Sequence, residues 1–580
     1  MKRLLLGLLV SGTLFACTEW KEGRTPPTSE VPAGVGDAVA LPSALAFVEK
    51  SVGFVHLVDA PAGVPRSRAV QIGRNPVTWQ ADRAAVAGTA TDRMLALCVG
   101  EIDGPDVDAE GATFWLVPAN GAQPTKYELP SRWNRITQSP NGRYVILSFS
   151  PSGPSRLVSD SVFSPNQIAV LDLNTPGAKP MIRTLRALND IPRDFFFSQP
   201  LNMADGLRDL LVVASDGYVT LVDLKFDGSD AALRPLRSEI TVPLSLADDP
   251  RRLRAAQVLF DPGAPADPTT MTPRRDPVVY LRATESSDII ALSLTPVPAS
   301  EIVAGKNDFL PSLSQLAVGG NPQDMVLYPE SEPVVGQPDK KVVRMRLLVS
   351  DGGSNIAVLH LDSSRSLSIP MVHIANRILL WEGPSPDEAE SRPRALLFST
   401  RGGAKATFVD LNRLSDFKTR NLRPIDLAPV NDVLPLLNSG IVFVKHGDSR
   451  LSVLNLATRT LSGLNFALSF QSIRRPTGQS DLWVVGSEAD NKGRYPLPRL
   501  NPVNLSTAEA RLDAMAAEIV ILPAAPGAKQ WMLVAHPGPE GYVTALDAAT
   551  LDRETAHSLQ GIVAVDLQDR LSRVLPGDKQ

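Results

Sequence analysis

Carboxylates crowd one short stretch of this 580-residue chain. Gly100 to Gly111 reads GEIDGPDVDAEG, and Asp106, Asp108, Glu110 and Gly111 follow the spacing that opens an EF-hand loop. Calcium takes several oxygen ligands, and alternating acidic residues on a turn can supply them. The twelfth position is Val117, not the bidentate Glu that such a loop requires. Two readings stay open: a looser calcium cage from Asp103, Asp106, Asp108 and Glu110, or a solvated acidic turn. Histidine offers less. His56, His360, His373, His446, His536 and His557 form no H-E-x-x-H motif or other close ligand pair. His56 and His360 sit inside apolar runs, where a hydrogen-bonded structural imidazole is the usual case. The sequence contains no G-x-S-x-G elbow, P-loop or G-x-G-x-x-G. Asp172, Asp223, Asp410 and Asp547 recur at matching places in a repeat, which points to one turn cap per repeat rather than to catalysis.

A thiol remains. The chain opens MKRLLLGLLVSGTLFACTEW, with Lys2 and Arg3 ahead of an apolar run from Leu4 to Phe15. That run is too short to cross a ~30 Å hydrocarbon core as a helix. A positive start and a short apolar stretch describe an export signal. Leu14-Phe15-Ala16-Cys17 resembles the lipobox of bacterial lipoproteins, with a bulkier residue than usual at Phe15. The resemblance implies that residues 1–16 are removed, that the Cys17 thiol receives a diacylglyceryl group, and that the new amine is acylated with a chain such as palmitate. Several acyl chains give stable anchoring where one does not. The alternative is an ordinary signal peptide in which Cys17 is incidental. Thr18 stands where an Asp holds such proteins on the inner membrane, so the resemblance implies the outer membrane of a bacterial envelope, with its periplasmic or surface face left open. The Pro-, Gly-, Ser- and Thr-rich segment up to Pro42 reads as a flexible linker, making residues 17–42 lipidated Cys plus tether and residues 43–580 the folded body.

The charge balance restricts partners. Lys and Arg total 58 against 62 Asp and Glu, and loss of Lys2 and Arg3 moves the net charge from −4 to near −6. That is not the balance of a nucleic-acid binder. With Cys17 assigned to lipid, Cys98 has no cysteine to pair with, and its run RMLALCVG predicts a buried, inert thiol.

The elements that must position any site repeat along the chain. LLVVASDG is followed by YVTLVDL (210–224), RLLVSDGG by SNIAVLHLD (346–362), ALLFSTRGG by AKATFVDLN (395–412), GIVFVKHGD by SRLSVLNLA (440–457), and WMLVAHPGPE by GYVTALDAAT (531–550). Looser copies lie at 44–60, 93–120, 143–174 and 277–295. Each copy is a hairpin: an unbroken apolar strand, a Gly-, Asp- or Ser-bearing turn, and a second strand that alternates more. Further strands flank many copies, such as WNRITQSPNG (133–142) and RSEITVPLSL (237–246). Four antiparallel strands recurring about every 50 to 70 residues describe the blades of a β-propeller. SPNGRYVILSFS resembles the blades of YVTN-type, WD40-like bacterial propellers, and GYVTALDAATLD resembles those of quinoprotein-like propellers. The adjacent cysteines that quinoprotein dehydrogenases use are absent from the sequence.

The expected fold is therefore all-β: one propeller of four-stranded antiparallel blades, eight in number, with seven and nine as the neighbouring counts. The strand-like GIVAVDLQD (561–569) is expected to close the ring by completing the first blade, which shows no strand before its hairpin. Residues 487–518 are expected to be an insertion carrying a helix, since Ser506 and Glu509 have capping-box spacing in LSTAEARLDAMAAE. Asp190 to Pro200 and Asp261 to Arg275 read as further excursions. The function these features favour is a membrane-anchored, non-catalytic propeller that holds an envelope protein partner, with no cofactor unless the acidic loop binds calcium. The alternatives are a hydrolase or lactonase-like enzyme with acids, histidines or a metal in the central channel, and surface carbohydrate binding through scattered tryptophans.

Overall fold

A computed structural model of the chain describes residues 36–561 apart from internal stretches, the longest being 84–91, 101–110, 152–163, 225–238, 245–252, 266–273 and 552–559. The unbroken apolar runs are strands covered on both faces. In Leu45–Glu49, Leu45 and Phe47 pack on one side with Leu533 and Trp531. Ala46 and Val48 pack on the other with Met94 and Cys98. A half-exposed strand alternates; one buried between two sheets has no reason to.

Among the described residues ten four-stranded antiparallel sheets follow one another along the chain. Their residues are 39–71, 76–128, 135–184, 194–243, 255–317, 324–370, 377–426, 432–465, 470–512 and 518–561, called blades 1 to 10. Within each, strand order follows sequence order, except that blade 4 carries an extra hairpin, Leu201–Met203 with Gly206–Arg208. The buried residues fall into ten clusters, one at each junction between neighbouring blades. The tenth joins Val520, Leu533 and Val543 of blade 10 to Leu45 and Phe47 of blade 1 and so closes the ring. The molecule is a β-propeller whose core is a circle of interfaces.

Ten blades replace the expected eight and exceed the neighbouring counts of seven and nine. Nine of them coincide with the nine hairpin copies in the sequence. The tenth is blade 9, and it overturns the helical insertion as well. Tyr495–Leu500 and Thr507–Leu512 are its third and fourth strands. Pro496 and Pro498 hide the third strand from a sequence reading, because neither has an N–H to give a ladder. Its pairing with Leu482–Gly486 is correspondingly reduced to Leu482↔Leu500 and Trp483↔Arg499. TAEARL is composed of good helix formers, yet Ala510 and Leu512 are buried while Glu509 and Arg511 face out. Burial at every second residue outweighs a propensity worth a few tenths of a kcal/mol per residue.

Closure also differs from expectation. Blade 1 has its own inner strand, Val39–Ala40, which pairs with Leu45 and Ala46. It was hidden because two residues make no pattern, and it takes the end of the segment expected to be linker. Gln560–Gly561 pairs within blade 10, and residues 562–580, including most of GIVAVDLQD, lie outside the described residues. The excursion from Asp190 to Pro200 contains the inner strand of blade 4, Asp194–Phe197. Residues 1–35, with Cys17 and the signal segment, lie outside the described residues.

Two glycines show what the turns need. Gly217, in the SDG turn between the middle strands of blade 4, has φ +91° with open space around it, so conformation alone requires glycine there. Gly486 is needed for room: a Cβ would sit 2.6 Å from the Pro496 carbonyl oxygen.

Candidate functional site

The first strand of each blade lies nearest the axis. First strands of neighbouring blades come into contact, as in blades 2 and 3, 5 and 6, 6 and 7, and 10 and 1. Their free edges surround a central channel, and the ligand sites of propellers lie there or on the loops at its ends.

At the face where first strands begin, a polar cavity of ≈ 470 Å³ is lined by Arg135, Arg193, Asp194 and Arg254, with Ser150, Pro151 and Pro192. Arg135 donates to the Arg193 carbonyl and lies 3.7 Å from the Asp194 carboxylate. Arg193 pairs with Asp216 at 3.0 Å. Further along the same strands the wall turns apolar. A larger cavity of ≈ 770 Å³ is lined by Phe195, Phe196 and Phe197 of blade 4, Val258 to Phe260 of blade 5, Val326 and Leu327 of blade 6, and Leu380 of blade 7, with Arg83, Arg275, Thr137, Gln138 and Gln199 as its polar members besides Asp261. Its one carboxylate, Asp261, is buried, pairs with Arg275 and accepts the Gly263 N–H at 3.0 Å. Among the described residues neither cavity is lined by a histidine.

Four of the described histidines, His56, His373, His446 and His536, are hydrogen-bonded within or between blades. His446, at the end of the second strand of blade 8, faces the Pro429 carbonyl with Nδ1 at 3.1 Å and Ser452 Oγ with Nε2 at 2.8 Å. His536 does the same in blade 10, with the Met515 carbonyl at 2.9 Å and Thr544 Oγ1 at 2.8 Å. A carbonyl only accepts, so Nδ1 carries the proton and Nε2 accepts from the hydroxyl. In blade 7 the imidazole arrives from the preceding loop: His373 Nε2 accepts from Thr407 Oγ1 at 2.7 Å. In blade 1 the roles reverse, and His56 occupies the hydroxyl's strand position, 2.8 Å from Glu49. Burial pushes the His446 imidazole below its ordinary value, and nearby Arg450 lowers it further against the Pro429 carbonyl.

The repeated aspartates are locks on the opposite face. Asp172 pairs with Arg143 at 2.9 Å, Asp223 with Arg208 at 2.8 Å, Asp410 with Arg394 at 3.4 Å, and Asp547 with Lys529 at 3.8 Å. Two of them also cap turns as expected: Asp172 accepts from the Asn174 N–H and Asp547 from the Ala549 N–H. Arg208 adds a link between blades, since it also pairs with Asp308 of blade 5. Gln257 and Asp324 form another: Gln257 Nε2 donates to Asp324 at 2.8 Å, and Asp324 accepts the Ile378 N–H at 2.8 Å, joining blades 5, 6 and 7.

Other candidates fare differently. Asp103, Asp106, Asp108 and Glu110 lie outside the described residues. Among the described residues no group of three or more His, Cys, Asp or Glu is placed to hold a metal ion. Cys98 is buried between blades 1 and 2, as its apolar run predicts. Trp133, Trp381, Trp483 and Trp531 are core residues, which leaves Trp79 and Trp115 as the partly exposed tryptophans among the described residues. The channel arginines were missed because each lies in a different repeat and no local motif links them.

Two hairpins extend beyond their blades. In blade 6, Asp324–Val334 pairs with Gln337–Ser350, but the third strand meets only Arg346 to Ser350. Residues 337–345 therefore continue as a two-stranded ribbon for roughly 30 Å. In blade 7 the third strand meets only Arg394 to Phe398, and residues 388–393 extend in the same way for roughly 20 Å. The ribbons arise from adjacent blades whose first hairpins touch.

No family model matches the chain, and no curated protein matches it. Among solved structures it is similar to the dihydro-heme d1 dehydrogenase NirN in complex with DHE, at 14% identity over 76% of this chain and 70% of that one, TM-score 0.34. It is similar to Saccharomyces cerevisiae Sqt1 at 12% identity, over 69% of this chain and 92% of that one, TM-score 0.37. Apo AztD from Citrobacter koseri matches at 10% identity over 67% of this chain and 91% of that one, TM-score 0.29. Likeness of this size carries no argument about activity.

Proposed function

We propose that this chain is a lipid-anchored lipoprotein of the bacterial envelope, on the outer membrane, whose propeller holds a protein partner without catalysing a reaction. The observation that carries the reading is the pair of ribbons leaving blades 6 and 7. A two-stranded ribbon alone in water is marginally stable, and this one exposes Val343 at 64% and Val342 at 36% of their surface. A partner's surface laid on the Val343 face would bury that side chain and hold the ribbons in place. The anchor is acylated Cys17, with the Pro- and Gly-rich segment after it as tether.

Two measurements test the proposal. Cells fed labelled palmitate should yield labelled protein, and Cys17→Ser should lose the label and leave the membrane fraction. A photo-crosslinker at Val343 should give one discrete adduct in intact envelopes, and the same group at exposed Val503 of blade 9 should not. No adduct at Val343, the same adduct from Val503, or multiple-turnover hydrolysis of a small ester or lactone by purified protein, would overturn the reading.

A further inference from the structure

The channel arginines lie at the starts of three strands whose later residues line the larger cavity. Arg135 begins Arg135–Gln138, whose Thr137 and Gln138 line the larger cavity. Arg193 and Asp194 line the polar cavity, and the next three residues, Phe195 to Phe197, line the apolar one. Arg254 immediately precedes Ala255–Asp261, whose Val258 to Phe260 form the wall beyond it. Blades 4 and 5 thus present cationic ends ahead of apolar stems, and blade 3 adds a third arginine ahead of Thr137 and Gln138.

The charges at the cationic end do not cancel. Three guanidinium groups line the polar cavity against the one carboxylate of Asp194. Arg135 and Arg193 are partly engaged by Asp194, by Asp216 and by a backbone carbonyl. Arg254 is half-buried, and among the described residues its hydrogen bonds are those of its backbone with Thr284. A guanidinium with spare donors beside a cavity suits a carboxylate, which it can meet in a two-pronged fork. The apolar cavity beyond, at ≈ 770 Å³, is within the size range of small-molecule sites, and its wall rewards a hydrocarbon body. A small inorganic anion would leave that wall unused. A neutral hydrocarbon would leave the arginines unused.

We propose that the channel is a binding site for a small amphiphile with a carboxylate head and an unbranched apolar chain, head against Arg254 and Arg135, chain along Phe195 to Phe197 and Phe260. This goes beyond partner docking on the ribbons and does not depend on it. Binding is non-covalent, and no bond of the ligand is made or broken.

The test uses the purified propeller without its signal segment and, by titration calorimetry below the micellar range, the probes dodecanoate, dodecanol and acetate. Dodecanoate should saturate one site, with dodecanol at least about tenfold weaker and acetate giving no saturation. Arg254→Gln should weaken dodecanoate about tenfold and leave dodecanol unchanged, while Arg254→Lys restores part of the loss. An unaltered thermal midpoint shows that the variants fold, and Arg135→Gln provides a second variant with the same expectation. Equal affinity for dodecanoate and dodecanol, dodecanoate binding indifferent to both arginine substitutions, or no saturable dodecanoate binding would each overturn the proposal. None of these results touches the crosslinking at Val343, so the two proposals can fail separately.

Discussion

Arg346 Nε donates to Glu330 Oε2 at 2.9 Å where the blade 6 ribbon leaves its sheet, and both side chains are almost sealed from solvent. Asp362 accepts from the same guanidinium at 3.0 Å. Arg394 holds the matching place in blade 7, donating to the Gly383 carbonyl at 2.8 Å and pairing with Asp410. Each ribbon is thus rooted on a buried arginine.

Removing one member of the Arg346–Glu330 pair should be costly. Arg346→Met strands a buried carboxylate, which costs about 3–5 kcal/mol. The thermal midpoint should fall well below that of the parent. Arg346→Met combined with Glu330→Leu should recover much of the loss, because replacing both charges by packed apolar groups is often neutral. A double variant no more stable than the single one would contradict this account of the root.

Blade 9 can be checked by an alternating scan. Leu512 is 1% exposed, so Leu512→Ala should cost about 2–5 kcal/mol in denaturant unfolding. Glu509 faces solvent, and Glu509→Ala should stay within about 0.5 kcal/mol.

The hydroxyl partnered with His536 should matter through one hydrogen bond. Thr544→Val keeps the shape and removes the donor to Nε2, leaving a buried acceptor unmet at a cost of about 1–3 kcal/mol. Thr544→Ser should retain most of the stability.

His446 sets a pH dependence. Its pKa in the folded chain is pushed below the ordinary value, so below about pH 6.5 the unfolded chain takes up a proton that the native site resists. Its contribution to stability is complete above that pH and is lost as pH falls through the window beneath it. His446→Gln should flatten this part of the fall in thermal midpoint between pH 7.5 and pH 5, measured against the parent.

The legible parts of the sequence were those set by burial on two faces. The runs at Leu45–Glu49, Leu210–Ala214 and Trp531–Ala535 are apolar at every position or nearly so, because a blade covers each side. The phrase repeated at Tyr218–Asp223 and Tyr542–Asp547 is legible for a second reason: Thr544 serves an imidazole, and the closing Asp of each strand holds a basic residue, Arg208 or Lys529, that precedes the neighbouring strand. Blade 9 was not legible, since prolines break its third strand and helix formers fill its fourth. Inner strands as short as Val39–Ala40 carry too few residues for any period. The channel could not be read at all: Arg135, Arg193 and Arg254 meet only because the ring bends three distant segments toward one axis.

Among the described residues every blade takes its four strands from one piece of chain, and the last packs its side chains against those of the first. A gene encoding such a ring could gain or lose a whole blade by duplication or deletion at a loop, with no strand orphaned and no partner strand to supply elsewhere. The size of the wheel is then decided by how steeply neighbouring sheets tilt against each other, a property of the side chains wedged at each joint.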